Sequence, residues 1–232
     1  MKTTSTIFLL LFEILFFSMA NAQKTIVLQP DSCLGKDATI GDCIPCGYYN
    51  TNYGSSDEFI AIAWTNGGNN SNGRSLMQFD LNSIPSGATI LSATLSLYYN
   101  PNPASGNIGH SQLSGSNEAL LQRITSSWTE YGVTWANQPT TTVQNEVILP
   151  ASLSNSQDYP NINVTALVQD MVNNPAQSFG FMFKLQTETF YRSLLFASSD
   201  HSNSALHPKL EVTYADTTQE ICMTLQPDNS AC

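Results

Sequence analysis

The sequence predicts an all-β protein, an antiparallel β-sandwich carrying one short helix. Three observations lead there. Short runs rich in β-branched and aromatic residues recur along the chain, separated by Gly, Pro, Asn and Ser. Several of these runs alternate strictly between apolar and polar residues, the pattern of a sheet with one buried and one wetter face. Helical spacing occurs in a single segment. With 232 residues, 41% of them apolar, and no Pro- or Ser-rich linker through its middle, the chain has material for one sizeable core and reads as one domain.

Residues 1–22 read as a secretory signal peptide, with Lys2 as the basic start, residues 7–17 as the apolar segment and Ala20-Asn21-Ala22 as the cleavage site. Glu13 interrupts the apolar run, which is shorter than the ~20 residues a bilayer-spanning helix needs. No other segment is apolar enough to span. The expectation is a secreted, extracellular or cell-surface chain that begins near Gln23 and has no membrane span in its mature form.

The domain is expected over residues 23–215, with strands at 25–28, 37–40, 58–64, 75–81, 90–99, 119–124, 146–149, 179–185, 193–197 and 209–214. Met77, Phe79 and Leu81 share one face, with Gln78 and Asp80 on the other. Ala93, Leu95, Leu97 and Tyr99 alternate with Thr94, Ser96 and Tyr98. Phe179, Phe181, Phe183 and Leu185 alternate with Met182 and Lys184. The segment 66–73 reads as a loop. Val164, Leu167, Val168, Met171 and Val172 repeat at helical spacing, with Asn163 or Thr165 as candidate caps and Asn173-Asn174-Pro175 as the stop. This helix is expected to lie across the end of the sandwich.

Residues 216–232 form a C-terminal tail that repeats a phrase from the other end. Leu28-Gln29-Pro30-Asp31-Ser32-Cys33 is echoed by Leu225-Gln226-Pro227-Asp228 and, four residues on, Cys232, as though a second repeat began there. Of the five cysteines, Cys33, Cys43 and Cys46 lie near the mature start and Cys222 and Cys232 near the end. In an oxidising compartment all five are disulfide candidates, with an odd thiol left over. Cys43-Ile-Pro-Cys46 also has the spacing of a redox or zinc half-site, but no second pair completes it.

Composition narrows the function. Eighteen acids against eight bases give a net charge of −10, which excludes a general affinity for nucleic acid, because phosphate contacts need clustered Lys and Arg. Neutral polymers suit this charge best, and a polyanion would require a local basic patch. Catalytic signatures are missing: there is no Gly-x-Ser-x-Gly elbow and no His-Glu-x-x-His, and His110, His201 and His207 fall in expected loops. Glu130 is the best single carboxylate for a glycosidase pair, with turn capping as its bland alternative. The expectation is no enzyme and no required cofactor. Asp37, Asp42 and Asp57 could supply a structural calcium, although no EF-hand spacing is present and the metal content is open.

Four blocks then occur in fixed order: Gly35-Lys36-Asp37-Ala38 with Asn52-Tyr53-Gly54; Arg74-Ser75-Leu76-Met77-Gln78-Phe79-Asp80-Leu81 with Ile84-Pro85-Ser86-Gly87-Ala88-Thr89-Ile90 and Ala93-Thr94-Leu95; Trp128-Thr129-Glu130 with Val133-Thr134-Trp135 and Gln138-Pro139; and Val164-Thr165, Phe179-Gly180-Phe181 and Pro208-Lys209-Leu210-Glu211-Val212-Thr213-Tyr214. The set resembles the bacterial DNRLRE-type domain, also described as carbohydrate-binding module family 96. The resemblance implies a jelly-roll-like sandwich and a non-catalytic role in secreted polysaccharide-active or adhesive proteins. Some members bind alginate through basic side chains; here the mature chain has only seven Lys and Arg.

Two surfaces are candidates for contact with such a ligand. Tyr48, Tyr49 and Tyr53 crowd a Gly/Asn-rich loop beside Trp64, and flat rings on a rigid loop suit the apolar face of a pyranose. The alternative is that the tyrosines brace the disulfide loop. Trp128 and Trp135 read as core or loop-pinning rings. The second surface joins Arg74 and Gln78 with Lys184, Arg123 and Arg192, if their strands are neighbours, in a shallow groove for carboxylates or vicinal hydroxyls. The expected function is a secreted non-catalytic module that attaches itself or a linked enzyme to an extracellular polysaccharide, including an acidic one such as alginate. Its partners would be that polysaccharide and, in a longer chain, further repeats or a catalytic domain. The rival reading is a structural or adhesive repeat of a cell-surface protein without a specific glycan.

Overall fold

The structure, a computed structural model, describes residues 22–106 and 109–216. The signal peptide (Ala22 apart), the tail beyond Asp216 with its echoed phrase, and Cys222 and Cys232 lie outside the described residues. In chain order the strands are β1 (Ala22–Leu28), β2 (Asp37–Gly41), β3 (Glu58–Asn66), β4 (Asn69–Met77), β5 (Thr89–Leu97) and β6 (Ser111–Gln112). There follow β7 (Ala119–Ile124), β8 (Thr141–Leu149), β9 (Tyr159–Asn163), the helix α1 (Thr165–Asn173), β10 (Phe181–Leu185), β11 (Arg192–Ala197) and β12 (Lys209–Asp216).

Two antiparallel sheets result. The smaller has the order β1-β12-β5-β9 and the larger β6-β11-β3-β4-β10-β7-β8, with β2 beside β4. The alternation seen in the sequence fills the space between them. Ala93, Leu95, Leu97, Leu210, Val212 and Tyr214 come from the smaller sheet, and Phe59, Ala61, Phe181, Phe183, Leu194 and Phe196 from the larger. Phe59 and Phe183 stack at 5.2 Å between ring centroids. This single buried cluster accounts for the sandwich, since each sheet has one apolar face to remove from water.

The helix packs Leu167, Val168, Met171 and Val172 into the same cluster, against β5 of one sheet and β7 and β8 of the other. It therefore closes the gap between the sheets. Its first turn starts at Val164 without a side-chain cap, while the Asn163 carboxamide accepts the Thr165 N–H at 3.0 Å.

Several expected boundaries are corrected. The strand expected at 75–81 is β4, which runs earlier and ends at Met77. The supposed loop at 66–73 is the tip of a β3–β4 hairpin: Gly67 and Gly68 have φ of 56° and 80°, as a two-residue primed turn requires. The Asn-rich start of β4 has low β propensity, and the turn imposes its pairing. Phe179 does not share the face of Phe181. Gly180, at φ 98°, breaks the alternation, and Phe179 packs on the outer side of the larger sheet with Leu76, Met182 and Trp128. β9 escaped detection because Pro160 and two Asn residues disguise an edge strand, and Asn161 adopts φ 56°.

Candidate functional site

The outer face of the larger sheet carries a cleft of about 430 Å³ where β2, β3 and β4 meet. Alternation in β3 turns Phe59, Ala61 and Ala63 inward and leaves Ile60, Ile62 and Trp64 outward, where Ile60 and Ile62 form the apolar floor with Leu195 of β11 beside Ile60. The 42–57 loop adds Tyr48 and Tyr53, packed edge to face at 6.0 Å. Trp64 is held edge-on by Tyr191 at 4.9 Å, and the Asn66 carboxamide donates to the Tyr48 hydroxyl. Three of the four aromatic residues singled out in the sequence therefore line one concavity. Tyr49 does not; its carbonyl accepts the Ala136 N–H at 3.1 Å.

Polar groups rim the floor: Thr39, Ser56, Asn66, Ser71, Asn72 and Ser105. Asp42 orients Asn72, accepting its backbone N–H and its Nδ2, each at 2.6 Å. That leaves Asn72 Oδ1 buried and without a hydrogen-bond partner among the described residues. Glu58, 5% exposed, lines the cleft and accepts the Ser105 N–H at 2.8 Å. Burial pushes its carboxyl above the usual range. Apart from Asp42, considered only for calcium, none of these polar residues was singled out from sequence, because the hairpin register that sets Ser71 opposite Trp64 depends on recognising Gly67-Gly68 as its turn.

The expected cationic groove does not assemble as a free surface. β4 and β10 are neighbours, as required, but Arg74 is already engaged: its Nε and Nη2 donate to both Glu188 oxygens at 2.7 and 2.8 Å. Its Nη1 reaches Gln138 at 2.9 Å, and the guanidinium lies over Trp135 at 4.4 Å. Lys184 sits near Arg74, Glu188 and Glu146, with burial and the Arg74 charge lowering its ammonium pKa. Arg123 is buried and donates to the Gln177 carbonyl at 2.5 Å. Arg192 donates to the Ser114 carbonyl at 3.1 Å, and Gln78 accepts from Lys36 at 2.7 Å. Of these five groups, only Arg74 and Lys184 come together.

The remaining singled-out residues serve the frame. Trp128 is buried and donates its Nε1–H to the Phe179 carbonyl at 2.8 Å, with Lys36 over its ring at 4.4 Å. Glu130 accepts the Asp37 N–H at 3.1 Å, and its carbonyl accepts Asn52 Nδ2 at 2.7 Å. Cys43 and Cys46 form a disulfide, and Cys33 is exposed with no disulfide partner among the described residues. Asp37 lies by Ser199, Asp42 by Asn72 and Asp57 by Ser198. Among the described residues no three His, Cys, Asp or Glu side chains converge. No described helix is long and apolar enough to cross a membrane.

A two-sheet sandwich with an aromatic-walled, polar-rimmed cleft on one outer face has the make-up of a ligand-binding module. The family model for carbohydrate-binding module family 96 matches residues 35–214. The chain belongs to that family, whose members are non-catalytic binding modules. Comparison with curated proteins gives no match.

Proposed function

We propose that the chain is a secreted module that holds itself, or an enzyme joined to it, on an extracellular polysaccharide through the Trp64–Tyr48–Tyr53 cleft. The observation that carries this reading is the convergence of two rings from the 42–57 loop and one from β3 on an apolar floor ringed by hydroxyl and amide groups. A pyranose presents apolar C–H faces and a belt of hydroxyls, so ring stacking and short polar contacts together give affinity and orientation. The rings are fixed beforehand by Tyr191 and Asn66, which reduces the entropy lost on binding.

Affinity electrophoresis of residues 23–232 through gels containing a panel of polysaccharides tests it. The expected result is retardation by at least one polymer, weakened at least about tenfold by Trp64→Ala and less by Trp64→Phe. Arg74→Ala leaves it unchanged. Retardation that ignores both Trp64 variants would place the ligand elsewhere on the module.

A further inference from the structure

Resting on the cleft proposed above, we infer that its ligand is a neutral polysaccharide and that polyuronates are excluded. Among the described residues no Lys, Arg or His lines the cleft. Among the described residues the one carboxyl that lines it is Glu58, 5% exposed, and the neighbouring Asp42 is held by Asn72. Every uronate ring carries a carboxylate, which would have to give up water beside these two acids with no cation to receive it. The chain's net charge of −10 adds to the repulsion.

Four of the cations that could have served a polyuronate are engaged within the fold, and Lys184 stands beside Arg74 on β10, outside the cleft lining. Arg74 is neutralised by both oxygens of Glu188, Arg123 is buried under residues 177–178, and Arg192 is tied to Ser114. Lys36 lies over Trp128 and donates to Gln78. The cleft's own chemistry suits uncharged hydroxyls. Asp42 accepts the backbone N–H and one Nδ2 hydrogen of Asn72 and so fixes this neutral amide at the cleft wall. Ser56 and Ser71 can give or accept at the same wall.

The experiment compares gels of β-glucan, glucomannan and galactomannan with gels of alginate and de-esterified pectin, each at low and high salt. The expected result is retardation by a neutral polymer that persists at high salt and falls at least about tenfold in Trp64→Ala. Trp64→Phe, which keeps a ring in place, guards against a folding failure by retaining part of the binding. Retardation by a polyuronate that Trp64→Ala removes would overturn the neutral-ligand inference and leave the cleft standing. Retardation by a polyuronate that salt or Arg74→Ala with Lys184→Ala removes, while Trp64→Ala does not, would overturn both. No retardation in any gel, by protein with an intact cooperative melt, would likewise overturn both.

Discussion

Asp37 sits at the start of β2 with its carboxyl pushed up to about 6, chiefly by burial, while Asp200 and Glu130 nearby add like charge. The Ser199 hydroxyl and the Ser199 N–H, the latter at 2.9 Å, offset only part of this. The group therefore favours its neutral form when folded. Its contribution to stability is fully present below the unfolded value near 3.8 and is lost as pH rises through about 6. Asp37→Asn keeps an acceptor for the Ser199 N–H and removes the charge that burial penalises. Urea melts should show the variant about 1–3 kcal/mol more stable than wild type at pH 7.5, with the difference shrinking toward pH 4. A variant destabilised equally at every pH would refute this account. At the same scale Arg74 illustrates why a charge read from sequence says little about availability, since its ion pair with Glu188 is set by chain more than a hundred residues away.

Elements join where the family phrases meet. Asn52 Nδ2 bridges the Glu130 and Val133 carbonyls, each at 2.7 Å, so the loop that carries Tyr53 is latched to the Trp128 turn. Asn52→Ala leaves two carbonyls short of a donor and should lower stability by about 1–3 kcal/mol, with faster amide exchange in residues 128–133. Normal exchange there would show that the latch is dispensable. Gly180 is a second junction. A Cβ at this position would stand 2.0 Å from the Met77 carbonyl oxygen, at a φ of 98° that L side chains rarely adopt. Gly180→Ala must part β10 from the end of β4, and a loss of about 3 kcal/mol or more is expected on chemical denaturation. These junctions explain why Trp128-Thr129-Glu130 and Phe179-Gly180-Phe181 are phrases of structure more than of ligand contact.

Across the whole molecule, stability rests on the one cluster between the sheets, with two smaller clusters on the outer face of the larger sheet. The Cys43–Cys46 disulfide closes a loop of only three peptide links beside the cleft. So short a loop removes little freedom from the unfolded chain, about 2 kcal/mol in the chain-entropy account. Calorimetry with and without reductant should show a fall in Tm of no more than about 8 °C and an unchanged single transition. Collapse of the fold on reduction would mean that the 42–57 loop organises the sheet, contrary to the packing described. Glu58, Glu130 and Asp200 are raised by burial as Asp37 is, so the molecule should melt higher at pH 5 than at pH 8, each acid losing its contribution as pH rises through its folded value. His110, lowered by burial, acts in the opposite sense and contributes above its unfolded value near 6.5.

The fold class, the strands with clean alternation such as β5 and β12, and the single helix were decided by the sequence itself. Period-two and helical patterns are local properties, and burial of their apolar faces admits few architectures. The rings were legible too, because three tyrosines beside Gly and Asn and a tryptophan at a strand end are conspicuous in one dimension. Only the tertiary structure decided that Tyr48, Tyr53 and Trp64 share a cleft while Tyr49 does not, and that Ser71, Asn72 and Glu58 complete it. It alone decided that Arg74, Arg123 and Arg192 are already bonded within the fold. The physical reason is that a binding site and an ion pair are made of residues distant in sequence. Their meeting depends on strand order and register, which side-chain pattern constrains by face but not by neighbour.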